Sequence, residues 1–179
     1  MALPYRYVYW KKAVLKFEEM LEILKRKDIV YSTVHATMAK INDNNFLEWG
    51  QQTIKIAEDL GAKTITVHPN RVSKKNKAIL QETECINLRH LQHKTPVGIA
   101  IETFTGHERI FTPDEIIQAK LPMTLDTSHI HNDDMIMCII QKYWQYIPVV
   151  HLSARNNEEQ HLPIDTFCIK TVRELVNLG

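Results

Sequence analysis

Five residues able to ligate a cation or move a proton recur along this chain at similar intervals. His35, His68, Glu102, Asp126 and His151 are separated by 33, 34, 24 and 25 residues. Imidazole and carboxylate ligands without thiolate suit zinc, manganese or another divalent ion, and a catalytic site of this kind keeps one coordination position open for water or substrate. Without a cation, such a ring would hold protons or repel. A single histidine is ordinarily a hydrogen-bonded or surface group, since His is only intermediate in burial; the shared interval sets these residues apart. Each interval is about one βα unit, which would bring all five to the C-terminal rim of one parallel sheet, where barrel enzymes keep their chemistry.

Further candidates flank these positions. In Asp126-Thr127-Ser128-His129 an imidazole follows the strand-end carboxylate by three residues, close enough to share an ion. His131 is a candidate substrate contact. Asn132-Asp133-Asp134 read better as a helix cap with favourable charge at a helix N-terminus. Beyond His151, Arg155 offers a planar fork for a phosphate or a substrate hydroxyl, and Glu159 with His161 could return a second carboxylate–imidazole pair to the rim. His90 and His93 fall on a predicted helix, away from the strand ends, and read as solvated. His107-Glu108-Arg109 lie in a loop after Glu102 that reads as surface, although it could close over a site. Cys138 and Cys168 read as core packing on helices.

The elements that must carry these residues alternate. Residues 11–27 show the 3.6-residue apolar stripe of an amphipathic helix, and 29–36 form a short, β-branched, nearly uncharged strand. Cap residues at 42–45 open a helix running to Leu60, Gly61 stands where a left-handed residue ends it, and 63–69 is the next strand. A helix over 74–93, a strand over 97–103, a capping box at Thr112–Glu115 with a short helix to Lys120, and a strand over 122–127 follow. A helix near 133–146, a strand over 147–153 and a last helix opened by Pro163 complete the series. This is a βα repeat and a parallel sheet. Neither GxGxxG nor GxxxxGK[ST] occurs, which disfavours a doubly wound nucleotide binder and favours an α/β parallel (β/α) barrel of TIM type with about five to six units.

Composition narrows the classes. With 179 residues the chain holds one domain, 1–179, with a sizeable core. Twenty-two Lys+Arg against 21 Asp+Glu leave +1, which lacks the basic footprint of a nucleic-acid coat protein. Apolar runs stay below the roughly 18 residues of a membrane span, so no membrane partner is expected. Three scattered cysteines form neither a disulfide ladder nor a CxxC site, and with no signal-peptide core at the start a reducing cytoplasm is the expected home. Tyr5, Tyr7, Tyr9 and Trp10 make the first residues aromatic; a pocket lining, a stub of strand and an edge cover all fit them.

The segments STVHA, AEDLGAKTITVHPN, VGIAIET, LDTSH, VVHLSAR and EEQHLP, in that order over about 29–165, resemble the xylose isomerase-like TIM-barrel superfamily, which includes sugar isomerases and epimerases and the endonuclease IV type of AP endonuclease. In the isomerases and epimerases the resemblance implies a divalent ion on Glu102, Asp126 and His151, with a further Glu from the eighth strand, and His129 touching substrate. It then implies a sugar or sugar phosphate as the small-molecule partner, with Glu102 as ligand and candidate base. In the endonuclease IV branch it implies a zinc cluster that also uses His35, His68, Glu159 and His161, with abasic DNA as substrate; Glu159 stands where that branch has Asp. Aligned to the family, the first two strands and the last have no counterpart, and neither does the fourth isomerase ligand. A partial barrel would leave two parallel edges open, to be covered by a partner chain as in a homo-oligomer, by the aromatic N-terminal residues, or by nothing, with aggregation as the result. A non-catalytic remnant serving as a binding or assembly module is the reading from a different class.

Overall fold

The computed structural model describes residues 32–36, 46–70, 72–104, 109–156 and 159–178. The expected helix over 11–27, the start of the first strand, the caps at 42–45, the aromatic residues near the N-terminus and His107-Glu108 lie outside the described residues. Within them the elements are β1 (Thr33–His35), α1 (Phe46–Asp59), β2 (Thr64–Val67), α2 (Lys77–Gln92), β3 (Gly98–Glu102), α3 (Pro113–Gln118), β4 (Met123–Asp126), α4 (Asp133–Tyr143), β5 (Val149–His151) and α5 (Thr166–Leu178). All strand pairs are parallel and the strands lie in sequential order from β1 to β5. A doubly wound sheet reverses its order partway, whereas a barrel adds each strand beside the last. The sheet is therefore a curled part of a TIM barrel.

Residue alternation explains how one sheet serves both core and rim. Side chains along a strand point to opposite faces with period two. Val34, Ile65, Val67, Ile99, Ile101, Met123 and Leu125 occupy one parity and join the hydrophobic core with Trp49, Ile54, Leu88, Leu91, Ile116, Ile136 and Ile140 from the helices. The other parity carries Thr66, Ala100 and Thr124 and ends in the candidate ligands. A one-residue slip would bury the ligands under the helices, so the core also fixes the rim.

Helix boundaries follow local chemistry. Gly61 takes φ +69° after α1, the left-handed geometry expected of it. At α3 the Thr112 side chain accepts from the Glu115 amide while the Glu115 carboxylate accepts from the Thr112 amide, and Pro113 opens the first turn. Asn132 caps α4 through its side-chain oxygen, which accepts from the amides of Asp134 and Met135. Several bounds differ from the sequence reading, among them the strand expected over 147–153, which covers only Val149–His151, and the helix expected over 74–93, which begins at Lys77 after a tighter turn over Lys74–Asn76. The last helix starts at Thr166 rather than Pro163, with Asp165 Oδ1 accepting from the Cys168 amide. The segment read as helix near 133–146 becomes α4 to Tyr143 and then a tighter turn over Trp144–Tyr146. Cys168 is buried as expected, but Cys138 is exposed because it falls on the solvent side of α4. No helix among the described residues is long and apolar enough to cross a membrane.

Candidate metal centre

His35, Glu102, Asp126 and His151 are the last residues of β1, β3, β4 and β5, and His68 directly follows β2. Parallel pairing sets His35 opposite Thr66 and Asp126 opposite His151, so the five side chains converge at one end of the sheet.

Glu102 is the hub and is fully buried. Its Oε1 lies 2.7 Å from His151 Nδ1. Its Oε2 pairs with His68 Nε2 and lies 3.8 Å from His35 Nε2. The Nε2 atoms of His35 and His68 are themselves 2.8 Å apart. Asp126, also buried, accepts at Oδ1 from the Ser128 amide at 2.8 Å and hydroxyl at 2.7 Å. Its Oδ2 faces His151 Nδ1 at 3.6 Å and His129 Nδ1 at 3.9 Å. His161 reaches the rim from the loop after β5, its Nδ1 lying 3.2 Å from Ser128 Oγ. It does so at φ +58°, a left-handed conformation that costs a residue with a Cβ, beside a bridge between Ala154 and Leu162.

The electrostatics follow from this packing. Burial raises the Glu102 carboxyl, but hydrogen bonds from His151 and His68 and the field of His35 outweigh it and hold the group well below the usual carboxylate range. Asp126 is lowered in the same way: burial opposes, while His151, Ser128 and His129 prevail. The two carboxylates push His151 up to about 9. Burial lowers His35 and His129, against the pull of the nearby carboxylates.

Two sets of donor atoms lie close enough to hold an ion: His35, Glu102 and His151, and Asp126, His129 and His161. The Nε2 atoms of His35 and His68 face each other beside Glu102, and only one nitrogen of a facing pair can donate to the other; a divalent cation beside the carboxylate would relieve that pair. The donor sets therefore fit a divalent metal ion.

Other sequence candidates fall differently. Glu159 is exposed, its amide donating to Asn156 Oδ1 at 2.7 Å, and it joins neither donor set. His131 is exposed. Arg155 donates to Asp133 Oδ1 at 3.1 and 3.0 Å, so its fork is engaged by the first turn of α4. His90 and His93 are exposed on and just after α2, as expected. Two residues at the rim escaped the sequence reading, Phe104 and Ser128, while Arg109, expected in a surface loop that could close over a site, is buried. Phe104 carried a signal, a large aromatic two residues past a strand-end carboxylate; Ser128 lay inside the Asp126–His129 segment.

No family model and no curated protein matches the sequence. The chain has the fold of a partial TIM barrel, and solved structures of xylose isomerase domain proteins are among those it resembles. A D-tagatose 3-epimerase-like protein superposes with TM-score 0.68 at 16% identity, over 89% of this chain and 72% of that one. Endonuclease IV from Thermus thermophilus gives 0.57 at 16% identity, over 77% of this chain and 58% of that one. IolI protein with a bound zinc atom gives 0.66 at 14% identity, over 96% and 71%.

Proposed function

We propose that the chain is a divalent metal-dependent enzyme of the sugar isomerase or epimerase type, with Glu102, Asp126 and His151 holding the ion. The observation that carries this reading is the convergence of two buried carboxylates from adjacent strands on one imidazole. When bound, zinc or manganese would polarise a substrate carbonyl and stabilise charge developing beside it. The depressed Glu102 carboxyl suits a ligand better than a base, because proton transfer at neutral pH favours a group titrating near neutrality. His129, kept neutral by burial, supplies the imidazole that would exchange the proton at carbon. Arg155 and His131 stay as candidate contacts for a sugar or sugar phosphate, Arg155 only after leaving Asp133.

Purified protein loaded with manganese or zinc and offered a panel of ketoses, aldoses and their phosphates in deuterated water tests this. Deuterium entering the substrate with wild type, and lost in E102Q and H129A, is the expected result. Absence of both exchange and interconversion on every sugar by metal-loaded protein would reject it, and interconversion without exchange would replace the proton route with a hydride shift.

A second reading rests on the second donor set. Asp126, His129 and His161 beside His35 and His68 offer ligands for more than one ion, and clustered zinc ions suit phosphodiester hydrolysis at an abasic site in DNA. Glu159 would have to turn inward to join them. Two or more zinc ions per chain together with incision of an abasic oligonucleotide would favour this reading; inactivity in both assays with metal bound would favour a binding module.

A further inference from the structure

The Phe104 ring touches the imidazoles of both His68, beside Glu102, and His129, beside Asp126. It is about nine-tenths buried. Its face stacks on His129, with centroids 3.9 Å apart and planes 20° apart, and its edge relation to His68 is perpendicular, with centroids 5.5 Å apart. The Arg109 guanidinium carbon lies 3.9 Å from the ring centroid. A guanidinium and an imidazole each 3.9 Å from one centroid cannot share a face, so they sandwich the ring. Arg109 is itself buried and donates to the Pro69 carbonyl at 3.4 Å, while the adjacent Ile110 amide donates to the Asn70 carbonyl at 3.0 Å. The stack is thereby anchored to the chain just beyond His68.

The two imidazoles on Phe104 each address a different carboxylate: His68 pairs with Glu102 Oε2, and His129 stands 3.9 Å from Asp126 Oδ2. We propose that Phe104, clamped by Arg109, is a positioning residue of the metal centre that fixes the spacing of His68 and His129 and through them the orientation of Glu102 and Asp126. This rests on the metal-centre reading above. Partners beyond the ligands commonly matter about 10- to 100-fold in metal affinity, because a ligand free to turn must be ordered on binding. A flat face is the requirement: it can stack on His129 and receive the guanidinium, whereas an aliphatic group of similar bulk fills the space without orienting either partner.

Metal-free wild type, F104L, F104Y and R109M are titrated with zinc against a chromophoric chelator, with stoichiometry by elemental analysis and folding followed by circular dichroism. F104L is expected to stay folded and bind zinc at least about tenfold more weakly. F104Y should bind as wild type does, since it keeps the face, and R109M should fall between. Cobalt-loaded F104L should also show an altered visible ligand-field spectrum, which simple loss of packing far from the ion would leave unchanged. Zinc binding by folded F104L as tight as by wild type, or no difference between F104L and F104Y, overturns the inference while leaving the metal centre standing. Failure of wild type to bind zinc or cobalt overturns the metal reading and the inference together.

Discussion

The hydroxyl oxygens of Thr66 and Thr124 lie 2.8 Å apart although β3 runs between their strands. Adjacent strands alone are about 4.8 Å apart, so side chains two strands apart in a flat sheet would not meet; the contact records curling toward the rim side. It matches the layering of a barrel interior, where side chains from alternate strands form one level. Both residues are fully buried. Removing one hydroxyl leaves the other buried without this partner, and that loss costs more than removing both. T66V and T124V should each destabilise the fold by about 1–3 kcal/mol, and T66V/T124V by clearly less than the sum. Urea denaturation of the four proteins measures the coupling, and additive losses would refute it.

Metal binding to the rim should appear as stability, since a ligand held by the folded state alone adds about 2.7 kcal/mol at a hundred times its Kd. Zinc added to metal-free protein should raise Tm, and a chelator should reverse the rise. E102Q should abolish most of the shift, because the amide gives up the charge that His151, His68 and His35 converge on. Scanning calorimetry with and without zinc decides it; an equal shift in E102Q would move the ion elsewhere.

The barrel-type order and the rim were legible in the sequence for one reason: strand ends spaced by βα units place like residues at like heights. Thus His35, His68, Glu102, Asp126 and His151 could be set on one rim before any geometry was known. What spacing cannot show is the side-chain direction in loops. Glu159 and His161 are two residues apart, yet His161 reaches Ser128 through a left-handed backbone while Glu159 stays in solvent. Arg155 was legible as a fork but not as one already taken by Asp133. The stack of His129, Phe104 and Arg109 is invisible to spacing, because stacking joins residues through space with no periodicity to announce it.

Asn132 separates a structural role from a metal role within one short segment. Its side chain caps α4 through the Asp134 and Met135 amides, and it stands outside both donor sets. N132A should lose about 1 kcal/mol of stability, the ordinary cost of removing a cap. Zinc affinity should be unchanged. Denaturation and zinc titration on the same preparation check both halves; a large loss of zinc affinity in a folded N132A would place this turn in the metal centre.

Glu84 makes a prediction about pH. It lies on α2 with no exposed surface, and although Asn70 lies against the carboxyl, neither oxygen is held in a well-formed hydrogen bond. Burial pushes the group from its ordinary 4.5 up to about 8, against a smaller lowering from Asn70. Between those values the folded chain keeps a proton that the unfolded chain has released. The resulting stability is fully present below the unfolded value and is lost as pH rises through the folded one. The full effect is on the order of a few kcal/mol. His151, raised to about 9, contributes with the same sign over a higher window, so the informative quantity is the difference between wild type and E84Q. Urea midpoints taken from about pH 5 to pH 8.5, the span over which the linkage acts, should show wild type losing more stability than E84Q. Parallel curves would mean that Glu84 stays charged in the fold, with a partner that burial does not reveal.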